Sequence, residues 1–331
     1  MEIINGADRL PSQDRPLYMA LGNFDGVHRG HQLIIKDLVL RSRQVNGISA
    51  ALVFDPHPVI ALQPENHLVL LTDIVDRAEI MAELGLDYLI IEQFTEKLAA
   101  FTPEHFIQKF LKDKFNVKGL FVGENYKFGC RGAGNADTLH KWGREIGFSV
   151  DVVPMLIHEG KEVSSSLIRS LLLSGSVKEA ADFLNYYFYR QGRVIKGYGI
   201  GRELVYPTAN IFTNPDLLWP GQGVYLTAVG NIRESLLYGV TNIGPRPTFD
   251  HYDKAVETHI IDFDGNLYNR VIRLWFLEKI RNTLVFSSPV QLKEQIDKDI
   301  AKARMLIEQY KQEKNGKGNS LQAGCTMLRS I

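Results

Sequence analysis

The stretch Gly22-Asn23-Phe24-Asp25-Gly26-Val27-His28-Arg29-Gly30-His31-Gln32 joins an apolar run of strand length, Leu17 to Leu21, to a helical pattern from Leu33 to Val45 that Gly47 closes. A strand that turns through glycines into a helix offers free backbone N–H groups and the positive end of a helix dipole, a setting suited to a polyphosphate. Gly22, Gly26 and Gly30 let the backbone turn sharply and approach a ligand. His28 and His31, three apart, can face the same side of an opening helical turn and donate to phosphate oxygens. Two histidines alone would read as solvated loop residues; their place in a glycine-rich turn after a strand favours function. The chain contains neither Gly-x-Gly-x-x-Gly nor Gly-Lys-Ser/Thr, which excludes the dinucleotide fingerprint and the Walker loop.

Outward from this turn, Ser49 to Phe54, Tyr88 to Ile91, Gly119 to Val122 and Phe148 to Val153 read as further strands, with a helix from Pro103 to Phe115 that Thr102 can cap. Strands alternating with helices predict a doubly wound parallel sheet of the α/β class. After about residue 186 the pattern changes. Arg190 to Lys196, Val224 to Val229, Leu236 to Asn242, Val256 to Ile261 and Val271 to Leu277 are strand-like and broken by Gly, Pro, Asn and Asp, predicting an antiparallel barrel or sandwich. A helix from Pro289 to about Tyr310 follows, with Leu292, Ile296, Ile300, Ala303, Ile307 and Tyr310 on one side to pack on the barrel. The expected division is residues 1–185, 186–311 and a polar, glycine-rich tail, 312–331.

The 331 residues, enough for two domains, carry 38 basic and 38 acidic side chains, net zero, which argues against nucleic acid and anionic membranes as partners. By halves the count is 19 − 24 = −5 for residues 1–185 and 19 − 14 = +5 for 186–331. No apolar run approaches the roughly 18 residues of a membrane span, and Glu2, Asp8 and Arg9 near the start do not form a leader, so the expected location is cytoplasmic. Two distant cysteines, Cys130 and Cys325, support neither disulfide nor zinc site.

A second donor set is Ser164-Ser165-Ser166-Leu167-Ile168-Arg169: hydroxyls at a helix start and a guanidinium one turn later can meet an anion. In the second half, Gly197, Gly199 and Gly201 form a glycine-rich segment ending in Arg202, able to meet phosphate. Thr208 and Asn210, two apart on an extended segment, present a hydroxyl and an amide oxygen to one face, hard donors for Mg²⁺ already held by nucleotide phosphates. Glu257 heads a strand, where a carboxylate beside an alcohol substrate can accept its proton.

The His-x-Gly-His turn and the Ser-Ser-x-Ile-Arg helix start resemble the nucleotidylyltransferase superfamily. With Phe54-Asp55-Pro56-His57-Pro58 and Val122-Gly123-Glu124-Asn125-Tyr126-Lys127-Phe128-Gly129, the resemblance narrows to the adenylyltransferase module of prokaryotic bifunctional FAD synthetases. It implies that His28 and His31 bind ATP phosphates, that Gly22, Asn23, Phe24, Asp25 and Gly26 hold the nucleotide, and that Ser164, Ser165, Ser166 and Arg169 contact the departing pyrophosphate. It places Asn125 and Phe128 near the flavin; Lys127 stands where the family more often has arginine. The reaction implied is direct attack of the FMN phosphate on the α-phosphorus of ATP.

The glycine segment, Pro207-Thr208-Ala209-Asn210, Gly223-Val224-Tyr225, Asn242 to Phe249 and Glu257-Thr258-His259 resemble riboflavin kinase in the same order over about residues 187–310. That resemblance implies a six-stranded barrel, Mg²⁺ on Thr208 and Asn210, Glu257 as base for the ribityl 5′-hydroxyl of riboflavin, ATP over the flap, and Arg281 at the flavin. Val205 and Tyr206 replace the usual Gly-Phe, and Asn282 to Val285 lack the family's charged residues. Other readings are an adenylyltransferase for a different acceptor, a class I aminoacyl-tRNA synthetase, which the missing Lys-Met-Ser-Lys string disfavours, and a flavin or nucleotide sensor without turnover.

Overall fold

A computed structural model of the chain describes residues 1–11, 14–196, 206–212, 214–232, 236–245 and 254–316. Compact units divide at Ser165/Ser166.

The first unit is built on strands β1 (Glu2–Asn5), β2 (Leu17–Leu21), β3 (Ile48–Asp55), β4 (Tyr88–Gln93), β5 (Gly119–Gly123) and β6 (Ser149–Val153), paired in parallel in the order β1-β4-β3-β2-β5-β6. Met19, Ala20, Ala50, Ala51, Leu89 and Leu120 are fully buried, as strands covered on both faces must be. The sheet grows from β2 through β3 to β4, then resumes on the other side of β2 with β5 and β6. This reversal puts the switch point at the carboxyl ends of β2 and β5, where open α/β sheets bind ligands. The loops leaving those two strands carry the Gly22–His31 and Glu124–Phe128 sequences.

Helix α1 (Arg29–Gln44) starts four residues before the apolar pattern does, because His28 caps it: the ring Nδ1 accepts from the His31 N–H at 3.4 Å. Helix α2 (Ile74–Glu83) is capped by Asp73. Helix α3 (Pro103–Phe106) has the expected Thr102 cap and Pro103, then continues with π spacing over Ile107–Lys114. Helix α4 (Ala136–Ile146) precedes β6, and a short hairpin, β7 (Ile157–His158) with β8 (Lys161–Glu162), follows it. Strand β1 escaped the sequence pattern because only Ile4 in it is buried.

The second unit opens with α5 (Ser165–Ser174) and α6 (Val177–Leu184). Strands β9 (Tyr189–Ile195), β10 (Ala209–Ile211), β11 (Gly223–Gly230), β12 (Leu237–Pro245), β13 (Lys254–Ile260) and β14 (Val271–Arg281) close an antiparallel barrel in the order β10-β13-β12-β11-β14-β9, with β9 returning to β10. The two helices ahead of the barrel pack with it: Val177, Ala180, Phe183 and Leu184 of α6 are buried, Gly221 N–H donates to Leu172 O at 2.9 Å, and Lys178 pairs with Glu278.

Helix α7 (Pro289–Gly316) packs Ala303 and Ile307 against Val224, Leu226, Ala228, Leu277 and Ile280 on the outside of the barrel. It runs past Tyr310 into the residues expected to begin a tail, since Gln312, Glu313 and Lys314 are good helix formers. Residues 317–331 lie outside the described residues. Ile307→Ala is expected to lower the stability of the barrel unit by about 2–4 kcal/mol in urea unfolding, the cost of deleting a buried branched side chain.

Candidate functional site

The turn after β2 is held by Asp25. Its buried carboxylate accepts from the Leu71 N–H at 3.0 Å and the Thr72 N–H at 3.0 Å, with the Thr72 hydroxyl at 3.3 Å. Gly26 N–H donates to Thr72 Oγ1 at 2.8 Å, and the Ser165 hydroxyl to the Asp25 carbonyl at 2.8 Å. A carboxylate so deeply buried needs donors on its oxygens, and the backbone of residues 71–72 supplies them. Asp25, expected to touch nucleotide, therefore has its side chain committed to shaping the loop. Arg77 of α2 donates to the Asn23 carbonyl at 2.9 Å from a buried position.

Within the turn Gly26 has φ +82°, and Phe24 (+51°) and Val27 (+34°) share the left-handed region that side chains disfavour. Such strain persists only where surroundings over-determine it, and it concentrates at functional sites. Gly22 and Gly30 serve close approach: a methyl group on Gly30 would stand 3.3 Å from the His28 ring, and one on Gly22 3.1 Å from the Phe24 ring. The His28 and His31 rings stack at 3.6 Å between centroids, with Phe24 edge-on to His31. Because His28 Nδ1 accepts the His31 N–H, the neutral ring carries its proton on Nε2, a donor for an anion. Burial, His28 and Arg77 all push the His31 pKa well below its ordinary value of 6.5, so that ring is neutral at neutral pH. Its buried Nδ1 has no hydrogen-bond partner among the described residues.

In the loop after β5, Asn125 and Lys127 are exposed, whereas Phe128 is buried between Tyr126 (stacked, 5.8 Å) and Phe106 (5.6 Å) in the core of the sheet. Of the serines, Ser165 bonds to the turn; Ser166 is exposed, and Arg169 lies one helical turn further along α5. No local pattern points to Thr72, Arg77 or His158, whose Nδ1 stands 3.5 Å from the Arg29 guanidinium. The partners of the turn are 46 and 54 residues away, beyond any local pattern.

On the barrel, Asn210 of β10 stands directly opposite Glu257 of β13, and Glu257 directly opposite Asn242 of β12. Paired residues share a face of the sheet. Val256, Thr258 and Ile260 point inward and are buried, so Glu257 and its two amide neighbours form a row on the outer face. Extending the register by one residue sets Thr208 opposite His259, whose Nδ1 lies 3.0 Å from the Pro207 carbonyl. Arg281, expected at the flavin, is paired with Asp299: its Nε and a terminal nitrogen donate to both oxygens of that buried carboxylate at 2.7–3.0 Å. Gln295 completes that carboxylate at 2.9 Å. Gly197, Gly199, Gly201 and Arg202 lie outside the described residues, as does Val205.

A histidine-capped helix at the switch point of a parallel sheet, and a barrel carrying a carboxylate beside hydroxyl and amide donors, define a bifunctional nucleotide-using transferase. A family profile for FAD synthetase matches residues 10–167 and one for riboflavin kinase residues 184–307. The chain is 33% identical to the bifunctional riboflavin kinase/FMN adenylyltransferase of Escherichia coli K12 over 92% of its own length and 97% of the relative's, and 34% identical to that of Pseudomonas fluorescens over 92% and 98%. It belongs to the bifunctional riboflavin kinase/FMN adenylyltransferase family. It phosphorylates riboflavin with ATP to FMN, then transfers an adenylyl group from ATP to FMN, giving FAD and pyrophosphate. A crystal structure from Streptococcus pneumoniae, described as a macrolide-efflux protein, shares the fold with a TM-score of 0.84 and 27% identity over 91% of this chain and 98% of that one. Among the described residues here, no helix is long and apolar enough to cross a membrane.

Asp25→Ala leaves two buried N–H groups without an acceptor and is expected to cost about 2–4 kcal/mol of stability, read by urea unfolding, together with most adenylyl transfer. The lowered His31 pKa also sets a pH dependence. An unfolded chain takes up a proton near pH 6.5 that the folded one refuses, so stability is full above that pH and falls as the solution is acidified. The unfolding midpoint should drop more between pH 7.5 and 5.5 in the wild type than in His31→Gln; equal drops would place the acid sensitivity in another group.

Proposed function

We propose that residues 1–185 carry the adenylyltransferase and residues 186–311 the kinase, working at separate sites in the cytoplasm. The observation that carries the first assignment is the stacked His28–His31 pair on the first turn of α1, at the switch point of the sheet. His28 Nε2–H, the neutral His31 ring and the N–H groups opening α1 meet the phosphates of ATP, while Gly22, Asn23, Phe24 and Gly26 wall the nucleotide. An FMN phosphate oxygen attacks the α-phosphorus, the bond to the β-phosphoryl oxygen breaks, and pyrophosphate leaves toward Ser164, Ser165, Ser166 and Arg169. No protein nucleophile is needed: orientation and donors at accumulating charge supply the rate. Asn125 supplies the polar contact to the flavin, and Phe128 acts from the core by fixing the loop that holds it.

On the barrel, Glu257 accepts the proton of the riboflavin 5′-hydroxyl as its oxygen attacks the terminal phosphorus of ATP and ADP departs. Gly197, Gly199, Gly201 and Arg202 cover the phosphates by sequence assignment. Mg²⁺ fits the donor set: it binds few protein oxygens and leans on substrate phosphates, and Thr208 and Asn210 supply a hydroxyl and an amide oxygen beside Glu257. The described residues contain no cluster of three acidic, His or Cys side chains that would make a closed metal cage. When bound, the ion offsets charge on the phosphate oxygens.

Flavins resolved by chromatography after incubation with ATP test the division. Glu257→Gln should slow FMN formation about 10²-fold or more and leave FMN-to-FAD conversion near wild type; His28→Ala should do the reverse. Loss of both steps from either substitution in folded protein would refute separate sites.

A further inference from the structure

The segment entering β10 is gripped from two sides by residues that have no part in the reaction described above. On one side, His259 of β13 holds the Pro207 carbonyl at Nδ1, 3.0 Å away, and meets the Tyr206 ring edge-to-face at 5.3 Å. On the other, the Tyr206 hydroxyl donates to the Asp297 carboxylate of α7. Asp297 is in turn paired with Lys293 at 3.1 Å, whose ammonium lies 5.7 Å from the centre of the Tyr206 ring. Thr208 is the next residue but one along the chain from Tyr206, and His259 shares its strand and face with Glu257, two residues away.

This arrangement matters because β10 is only three residues long, Ala209–Ile211, and Pro207 has no N–H with which to extend its pairing. The strand ladder stops at Ala209, so the backbone at Thr208 is fixed by what holds Pro207 and Tyr206. A hydroxyl at Thr208 that wandered by an ångström would lose its place beside Asn210. We propose that Tyr206, His259 and Asp297 form a clamp that sets the Thr208–Asn210 segment against Glu257, making the C-terminal helix a positioning element of the phosphoryl-transfer site. The inference rests on the assignment of Thr208 and Asn210 to the Mg²⁺–nucleotide site. Tyr206, His259 and Asp297 are positioning residues; none touches the transferred group.

Kinase kinetics of the full chain at varied MgATP test the clamp. Tyr206→Phe, which keeps the ring and removes the hydroxyl, should raise the KM for MgATP about three- to tenfold, the worth of one ordinary hydrogen bond, with kcat near wild type. Asp297→Ala should do the same, and the double variant should be no worse than either single one, because both remove one interaction. Arg304→Ala, also on α7, breaks an exposed pair with Asp262 of the segment after β13 and should leave the KM unchanged, which separates positioning from general weakening of α7. Adenylyl transfer should be unaffected throughout. If Thr208→Ala raises the MgATP requirement while Tyr206→Phe does not, the clamp is wrong and the site stands. If Thr208→Ala leaves MgATP handling unchanged, the site assignment fails and the clamp with it. Additive losses in the double variant would also overturn the clamp.

Discussion

One buried carboxylate sets the geometry of the turn that leaves β2. Asp25 accepts from two backbone amides and a hydroxyl of residues 71–72, and through those bonds a loop containing three left-handed residues keeps a single shape. Backbone strain at Phe24 and Val27 is sustained by that anchor and by Arg77 on the Asn23 carbonyl. What the anchor delivers is orientation: α1 begins at Arg29 with His28 as its cap, so the two imidazoles stack on each other at the first turn of the helix, at the switch point of the sheet.

The barrel solves a different problem. Its interior is closed by side chains, including a chain of hydroxyls in which Thr241 lies 2.7 Å from Thr227 and 2.9 Å from Thr258. On the outer face the register of three strands sets Asn210, Glu257 and Asn242 side by side. Helix α7 covers another part of that face, and the Arg281–Asp299 pair fastens it where β14 ends. Removing one partner of such a buried pair costs far more than the pair contributes.

Much of this was legible from residue pattern. Leu17–Leu21 is read with its bounds intact because all five residues are buried and apolar, and the stripe Leu292–Tyr310 marks the packed side of α7. Strand β10 was read only through the extended pair Thr208 and Asn210, because it is three residues long with Pro207 ahead of it. Helices α5 and α6 look like continuations of the first half until their buried faces are matched to the barrel. The residues of the candidate site could be named by type and spacing, but their protein partners could not: Leu71 and Thr72 on Asp25, and Asp299 on Arg281, are distant in sequence.

Two independently built nucleotide sites in one chain are the central claim, and calorimetric titration with a non-hydrolysable MgATP analogue tests it most directly. The account predicts two binding events per chain, one lost in His31→Ala and the other in Thr208→Ala, each leaving its counterpart intact. A single event in the wild-type protein, or the loss of both events through either substitution, would contradict it.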